Sequence, residues 1–300
     1  MPPRTPAPVS FRDTVMWAEK NLRRARVYCG HGTDNYRDEA AWLVGATLKL
    51  PPSKWDVHAD DILNARQRAA VEQIVSARIE TRKPAAYLLH QAWFAGLPFY
   101  VDERVIVPRS LIGEFLPDRF RAWINPRRVH RILDLCTGSG CIAIAAAKAF
   151  PRAIVDAVDL SREALAVARK NVKRHGLTGR VKPIQSDLFA RLRGRSYDLI
   201  LTNPPYVDAR DMARLPREFR HEPQLALAAG KDGLDLVTRI LRAAPAHLTP
   251  DGALICEVGN SRAALEKRYP YLPCTWLSTS SGDDSVFRLA REDLARVRES

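Results

Sequence analysis

The sequence predicts an α/β protein with a mostly parallel, doubly wound sheet. The apolar run Ile132–Leu135 is typical of a buried strand; it stops at the turn Gly138-Ser139-Gly140, and small apolar residues then predict a helix over Ile142–Ala149. Further strands and helices alternate after this unit as far as Thr202. Alternation of this kind builds parallel sheets that are covered by helices.

The composition is that of an ordinary globular protein of about two domains. The chain has 300 residues, of which 46% are hydrophobic and 27% are charged. No apolar run approaches the roughly 20 residues that span a bilayer. The opening residues, with four prolines by position 8, lack the apolar core of a signal peptide. We therefore expect a cytoplasmic protein with no membrane partner.

The formal net charge is +13, carried more by arginine than by lysine. A basic balance of this size favours an acidic partner, with nucleic acid or a nucleic-acid assembly as the leading candidate. The alternative is a general abundance of arginine spread over solvated surfaces. Composition does not decide between the two.

The five cysteines predict neither a disulfide framework nor a metal site. They are scattered along the chain, and no two of them form a Cys-x-x-Cys pair. Cys136 and Cys141 flank the glycine turn, and we interpret them as small residues that pack around a tight loop.

Residues 1–84 are predicted to form a helical substrate-recognition domain. Ser10 is placed to cap a first helix, a second covers about residues 38–48, and a third covers about residues 59–81. The recognition role is an analogy with other proteins that carry a small lobe ahead of a nucleotide-type domain.

Residues 85–126 are predicted to link this lobe to the sheet domain, which takes up residues 127–300. Aromatic and β-branched residues indicate a β-hairpin that continues through residues 104–109. A linker helix is expected over about residues 110–123.

The glycine turn by itself leaves the ligand open. Asp134 lies at the carboxyl edge of its strand, where open α/β sheets bind ligands, and a buried carboxylate there needs hydrogen-bond donors. Gly138-x-Gly140-x-x-Ala143 satisfies the dinucleotide fingerprint. A nicotinamide or flavin enzyme and a methyltransferase that uses S-adenosylmethionine are both compatible with it, and so is a turn without a ligand.

Two further acids follow the next strands. Asp159 ends the strand over residues 153–158, at a distance from the glycines that suits a hydrogen bond to ribose hydroxyls. Asp187 follows the strand Val181–Gln185, where a carboxylate can accept from the exocyclic amine of adenine or cap a local turn. The predicted cofactor-binding residues are Asp134, Thr137, Gly138, Ser139, Gly140, Asp159, Asp187, Leu188 and Asn203.

The stretch Asn203-Pro204-Pro205-Tyr206 follows the strand Tyr197–Thr202 and is the most specific feature of the sequence. The prolines fix the turn, so the Pro204 carbonyl and the Asn203 side-chain oxygen can form a pair of acceptors for a planar –NH2 group. The Tyr206 ring supplies a flat wall. Hydride transfer has no use for such acceptors, so a methyltransferase is favoured. The predicted catalytic residues are Asn203, Pro204, Pro205 and Tyr206.

Further motifs carry a resemblance to a known family. They are Phe94-Ala-Gly-Leu-Pro-Phe99, Val107-Pro-Arg109, Asp134-Leu-Cys-Thr-Gly-Ser-Gly140, Asn203-Pro-Pro-Tyr206, Glu222-Pro223, Gly230-Lys-Asp-Gly-Leu234 and Glu257-Val-Gly259. With these the chain resembles the protein-(glutamine-N5) methyltransferases, which move a methyl group from S-adenosylmethionine to a glutamine side-chain amide. The resemblance covers residues 85–290 and, more loosely, the helical domain.

The resemblance also bears on the substrate. Asn-Pro-Pro-Tyr occurs in adenine amino-methyltransferases that act on nucleic acid, but the hairpin motif and the Pro-Arg element do not belong to those enzymes. Cys136, Ser139 and Ser110 are similar to the family branch that methylates large-subunit ribosomal protein three. The resemblance therefore implies a ribosomal protein substrate with ribosomal RNA in its surroundings, and keeps peptide-chain release factors as the alternative.

The family implies a Rossmann-like class I methyltransferase sheet of seven strands, the last one antiparallel. The remaining sequence supplies a helix over residues 234–248, a strand over 253–258, a helix over 261–268 and a closing strand pair. An amide nitrogen is a poor nucleophile because its lone pair is delocalised. We expect Asn203 and Pro204 to align it, with proton loss after transfer.

Overall fold

The computed structural model describes residues 10–280, 282–295 and 297. The chain divides into two compact units, which we call the helical unit and the sheet unit. The helical unit runs to Gln91 and also includes Pro216–His221, and the sheet unit comprises Ala92–Leu215 and Glu222–Ser300. None of the described helices combines the length and the apolar character required to cross a membrane.

The described part of the helical unit contains four α-helices, and side-chain caps set the starts of the first three. Ser10 caps the first helix, as predicted: its hydroxyl accepts from the backbone N–H of Asp13. The third helix begins later than the predicted residue 59, because the Asn64 side chain caps it and the residues before it form turns. The helices are α1 (Phe11–Arg24), α2 (Tyr36–Thr47), α3 (Ala65–Thr81) and α4 (Ala85–Leu89).

A buried ion-pair cluster binds residues 216–221 to these helices. Arg78 of α3 has no exposed side-chain surface, and its guanidinium lies 2.7 Å from Glu39 and 3.5 Å from Glu218. Glu218 also accepts from the backbone N–H of Tyr28. Buried charges are stable only when paired in this way. The sequence pattern had given no sign that a segment so far along the chain belongs to this unit.

The linker differs from its prediction. The hairpin is limited to β1 (Ala92–Phe94) and β2 (Leu97–Phe99), and residues 104–109 form no strand. The backbone N–H of Val107 donates to the carboxylate of Glu222 instead of to a strand. The predicted helix over residues 110–123 is reduced to α5 (Ile112–Phe115), and the left-handed backbone angles of Arg119 and Phe120 prevent any helix from continuing to residue 123.

Besides the hairpin of β1 and β2, the described residues of the sheet unit form one sheet of seven strands, in the order β5-β4-β3-β6-β7-β9-β8. Neighbours from β5 to β7 are parallel, and β9 is antiparallel to both of its neighbours. The predicted seven-stranded sheet with an antiparallel last strand is thereby confirmed. The strands are β3 (Arg131–Leu135), β4 (Ile154–Asp159), β5 (Val181–Gln185), β6 (Tyr197–Thr202), β7 (Leu248–Glu257), β8 (Thr275–Leu277) and β9 (Val286–Ala290).

Helices and loops cover both faces of this sheet with apolar side chains. The helix predicted over residues 234–248 is shorter than expected, because Pro245 falls in a 3₁₀ turn and β7 begins at Leu248. The helices are α6 (Cys141–Ala149), α7 (Arg162–Arg174), α8 (Ala209–Met212), α9 (Asp235–Ala243), α10 (Arg262–Arg268) and α11 (Arg291–Ala295). Parallel strands β3 to β6 bring their carboxyl ends to one edge of the sheet, where the predicted site residues fall.

Candidate active site

Asp134 joins the end of β3 to the start of α6. Its carboxylate accepts from the hydroxyl of Thr137 and, at 3.0 Å, from the backbone N–H of Ala143. The side chain is fully buried, and its Oδ1 has no hydrogen-bond partner among the described residues. Burial raises the pKa of Asp134 to about 7 against the effect of its two donors. Through these two hydrogen bonds, Asp134 fixes the conformation of the glycine loop.

The glycine loop requires unusual backbone angles. Gly138 and Gly140 have φ angles of +53° and +81°, a region that L side chains rarely adopt. A Cβ at Gly138 would meet no described atom within 4 Å, whereas one at Gly140 would lie 3.3 Å from Ala168 of α7. Gly138 thus leaves open space for a ligand, and Gly140 allows close helix packing.

Asn171 of α7 supports the loop from the other side. Its amide nitrogen donates to the Ser139 carbonyl and to the Tyr100 carbonyl, both at 2.9 Å. Asn171 is fully buried. The sequence analysis missed this residue, because an asparagine on a predicted helix carries no signal until its packing is known.

Asp159 ends β4 and supports the loop through its backbone. Its two oxygens accept from the N–H groups of Gly138 and Ser161, at 2.8 and 2.9 Å. Burial raises the pKa of Asp159 above its ordinary value despite these donors. A carboxylate has about four lone-pair sites, so acceptor capacity remains for a ligand hydroxyl.

Asp187 follows β5 and forms an ion pair with Arg239 of α9, at 2.7 Å. About half of each side chain is exposed, so the pair contributes little to stability. Leu188, the next residue, adopts a φ of +46° and is largely buried. Arg239 was not predicted, since only the tertiary fold brings α9 to this position.

An open cavity of about 370 Å³ lies at the carboxyl edge of the sheet. Of the predicted residues, it is lined by Gly138, Asp159, Asp187, Leu188, Asn203 and Pro205. Asp134, Thr137, Ser139, Gly140, Pro204 and Tyr206 are not among the lining residues. The structure therefore divides the predicted set into residues that face the cavity and residues that support them.

Asn203 follows β6 and presents an unpaired acceptor. The residue lines the cavity, and its Oδ1 is buried with no hydrogen-bond partner among the described residues. An amide oxygen in this condition costs free energy unless a ligand donates to it. Thr202 fixes the strand just before it, because the Thr202 hydroxyl donates to the Leu135 carbonyl at 3.0 Å.

Tyr206 is held in place by residues at the end of β7 and just after it. Its hydroxyl lies 3.4 Å from Oε1 of Glu257, and its backbone carbonyl accepts from the hydroxyl of Ser261. A Cβ at Gly259 would come within 2.3 Å of the Tyr206 ring. This contact gives a physical reason for the Glu257-Val-Gly259 motif: the glycine leaves room for the ring, and the acid engages its hydroxyl.

Glu257 is the most important residue that the predicted site lacked. It is buried, and its Oε2 accepts from the Ser110 hydroxyl at 2.6 Å and from the Leu111 N–H at 2.9 Å. Burial raises the pKa of Glu257 to about 7, and the neighbouring Tyr206 also has a raised pKa. The sequence did contain one signal for Glu257, which is its position near the carboxyl end of the strand predicted over residues 253–258.

Arg109 and Glu222 fix a second wall of the site. The guanidinium of Arg109 contacts both oxygens of Glu222, at 2.6 and 2.7 Å, a bidentate geometry that is strong and directional. Glu222 precedes Pro223, which lines the cavity. The following segment is tied to the Asn-Pro-Pro-Tyr turn, because the Val207 N–H donates to the Leu227 carbonyl.

Cysteines and metal ligands do not add a second chemistry to this region. Burial raises the pKa of Cys136 and of Cys141, the latter to about 12, so both are neutral thiols near pH 7. Within the described part of the chain, no group of three or more His, Cys, Asp or Glu residues is arranged to hold a metal ion.

The fold and this site together define a class I methyltransferase. Among solved structures, the catalytic domain of hMettl16, in complex with MAT2A 3'UTR hairpin 6, resembles the chain with a TM-score of 0.50 and 18% identity, covering 77% of this chain and 84% of that one. The family model described as methyltransferase small domain matches residues 120–230, and the PrmC N-terminal domain matches residues 13–89.

Two curated relatives narrow the class. A ribosomal protein uL3 glutamine methyltransferase of Bradyrhizobium diazoefficiens is 49% identical over 95% of this chain and 92% of its own length. A protein of the same name from Bordetella pertussis is 48% identical over 95% of this chain and 96% of its own length. The chain belongs to the protein-glutamine methyltransferase family, and within it to the uL3 branch, as the sequence motifs predicted.

Proposed function

We propose that this methyltransferase transfers a methyl group from S-adenosylmethionine to the side-chain amide nitrogen of a glutamine in large-subunit ribosomal protein uL3. The chemistry rests on one observation above the others, the unpaired buried oxygen of Asn203 on the cavity wall. The choice of substrate is supported by the names of the two curated relatives.

The cavity suits the proposed cofactor. Its volume of about 370 Å³ falls in the range of small-molecule sites. Asp159 keeps acceptor capacity for ribose hydroxyls, and Asp187 uses one oxygen for Arg239 and has the other for an adenine amine. When bound, S-adenosylmethionine supplies an electrophilic methyl group on a sulfonium, so the protein's task is to position the acceptor.

Asn203 and Pro204 position the acceptor amide. Both –NH2 hydrogens of a glutamine side chain need acceptors in a dry site, and the Asn203 oxygen and the Pro204 carbonyl offer two next to each other in the chain. These hydrogen bonds strengthen as positive charge develops on the nitrogen, which lowers the barrier more than it stabilises the bound substrate. Tyr206 lies outside the cavity lining and supports the turn that carries these acceptors, through its contact with Glu257 and its close packing against Gly259.

The proton of the amide leaves after methyl transfer in this mechanism. The methylated nitrogen is far more acidic than the amide, so no strong base is required before the transfer. On the cavity wall, Asp159 already accepts from two backbone N–H groups and Asp187 already accepts from Arg239. We assign neither of them a role as the general base.

The proposal also assigns a role to each part of the chain and a cellular location to the reaction. We assign residues 1–84 to recognition of the substrate protein and residues 127–300 to methyl transfer, with residues 85–126 as the linker. A ribosomal protein substrate places the reaction in the cytoplasm, on free uL3 or on an assembling particle where ribosomal RNA is close by.

The decisive experiment offers purified enzyme and methyl-labelled S-adenosylmethionine to two substrates, uL3 and a peptide-chain release factor. Label on a uL3 glutamine, located by peptide mass spectrometry, is the expected result. Label in the release factor alone would show that the substrate is wrong while the chemistry stands. Label in neither protein, with cofactor binding intact, would rule out both substrates.

A further inference from the structure

Positive charge collects at the edge of the sheet opposite the cavity. The amino ends of parallel strands share one edge, and the helices that connect such strands end there as well. Cations occupy both kinds of position in the sheet unit, and the side chains are exposed. They are Arg131, Arg152 and Lys182 at the starts of strands, and Lys148, Lys173 and Arg174 at the ends of α6 and α7. We call these six residues the basic edge.

The carboxylates near the basic edge already have hydrogen-bond or ion-pair partners. Asp156 is buried and bonds to Arg195 and to the Tyr197 hydroxyl, at 2.8 and 2.7 Å. Asp198 accepts from the backbone N–H groups of residues 130 and 131, and Asp251 pairs with Arg128. None of the six cations of the basic edge forms an ion pair with a described residue. Their charges are therefore available to a partner.

A cleft makes part of this edge a shaped site. Arg131, Lys182 and Arg195 line a depression of about 400 Å³ on the sheet, together with Asp156, which forms an ion pair with Arg195. The guanidinium of Arg131 lies over the Tyr197 ring, 5.8 Å from its centroid, which limits its freedom. By contrast, the opposite edge carries the carboxylates Asp134, Asp159, Asp187 and Glu257.

We infer that the basic edge binds the phosphate backbone of RNA. The inference rests on the proposed function, because a ribosomal substrate in an assembling particle is surrounded by RNA. Lysine and arginine side chains neutralise phosphates without regard to base sequence, and guanidinium groups match phosphate geometry. RNA held there lies away from the methyl-transfer cavity, so it retains the enzyme near its substrate without occupying the acceptor site.

The test compares two triple variants of the full-length chain. The first, Lys173→Gln/Arg174→Gln/Lys182→Gln, removes three charges from the basic edge. The control, Arg121→Gln/Arg242→Gln/Lys267→Gln, removes three exposed charges from the sheet unit outside both the basic edge and the cavity lining. The probe is a fluorescent RNA hairpin of about 20 base pairs, long enough to span successive grooves, and its dissociation constant is measured between about 50 and 200 mM salt.

The basic-edge variant is expected to bind the hairpin at least about tenfold more weakly at low salt, and its log–log salt slope should fall by about 2–3. The control should keep the wild-type slope. An unchanged slope in the basic-edge variant would overturn the inference, and so would an equal loss in the control. Binding to anionic phospholipid vesicles that depends on these residues, without RNA binding, would assign the edge to a membrane surface instead.

Methylation of free uL3 separates this inference from the proposed function. Both triple variants should methylate free uL3 at the wild-type rate, because the substituted residues lie outside the cavity. If wild-type enzyme leaves uL3 unlabelled, the proposed function fails whatever the RNA measurements give. If free uL3 is labelled but the hairpin binds neither wild type nor control, only the RNA inference fails.

Discussion

The hydroxyl of Tyr206 lies 3.4 Å from Oε1 of Glu257, a contact that joins the segment after β6 to the last residue of the adjacent strand β7. The other oxygen of Glu257 accepts from Ser110 and from the Leu111 backbone. Three separate parts of the sheet unit therefore converge on one buried carboxyl group. This arrangement supports the turn that carries Asn203, and it makes the position of the acceptor amide a property of the whole carboxyl edge.

Replacing Asn203 by alanine should separate binding from chemistry. We expect cofactor affinity to stay within about twofold and the single-turnover rate of methyl transfer to fall on the order of a hundredfold, the effect of losing one preorganised acceptor. Asn125→Ala, at an exposed position in the linker, is the control. Near-normal turnover of the Asn203 variant would show that its oxygen does not orient the substrate.

Replacing Asp159 by alanine should weaken cofactor binding. The variant loses a charged acceptor for the ribose, and the Gly138 N–H loses its partner, so binding should weaken by about 1–3 kcal/mol. Calorimetric titration of S-adenosylmethionine measures the effect. Asp251→Ala, an exposed carboxylate at the other edge, should bind the cofactor normally. Equal affinities in the two variants would remove Asp159 from the cofactor site.

Glu257→Gln should flatten the pH dependence of stability. Burial raises the pKa of Glu257 to about 7 in the folded protein, so the native state retains a proton that the unfolded chain has released above its lower pKa. The free energy of unfolding should therefore fall as the pH rises through the window between the unfolded and folded pKa values.

Glutamine cannot titrate, so the free energy of unfolding of this variant should fall less steeply with pH than that of the wild type. Asp134, whose pKa is also about 7, should account for the fall that remains. Denaturant titrations from about pH 5 to 8 measure the slope. The slopes of stability against pH are compared, and not the stabilities themselves. The glutamine –NH2 group faces hydrogen-bond donors and therefore lowers the stability of the variant at every pH. A variant with the wild-type slope would show that Glu257 is ionised throughout this range.

Gly259→Ala should disturb the Tyr206 ring. The new Cβ would lie 2.3 Å from the ring, and φ at this position is +46°, so we expect a loss of about 2–4 kcal/mol of stability together with reduced turnover. Gly176→Ala is the matched control, since its φ is +68° but no described atom lies within 4 Å of the added Cβ. The control should lose only about 1 kcal/mol. Equal losses would mean that backbone strain, and not the ring contact, restricts residue 259.

The sequence by itself determined the order of the strands along the chain and the chemistry at their ends. Short apolar runs that end before Gly138, Asp159 and Asn203 predicted the strands β3, β4 and β6. A strand in a parallel sheet is buried on both faces, so its residues are apolar along most of its length. The motifs predicted the family, which the relatives confirmed. Local signals of this kind are short, and they depend on neighbouring residues only.

The tertiary structure decided which of these residues face the cavity and which support it. Asp134 and Tyr206 lie outside the cavity lining, while Arg239 and Glu257 reach the site from segments distant in sequence. The linker strand and helix failed as predictions because Glu222 takes the Val107 N–H and because Arg119 and Phe120 turn left-handed. Partners separated by a hundred residues leave no periodicity in the sequence. Their pairing follows from the path of the folded chain, and so does the gathering of cations at the far edge of the sheet.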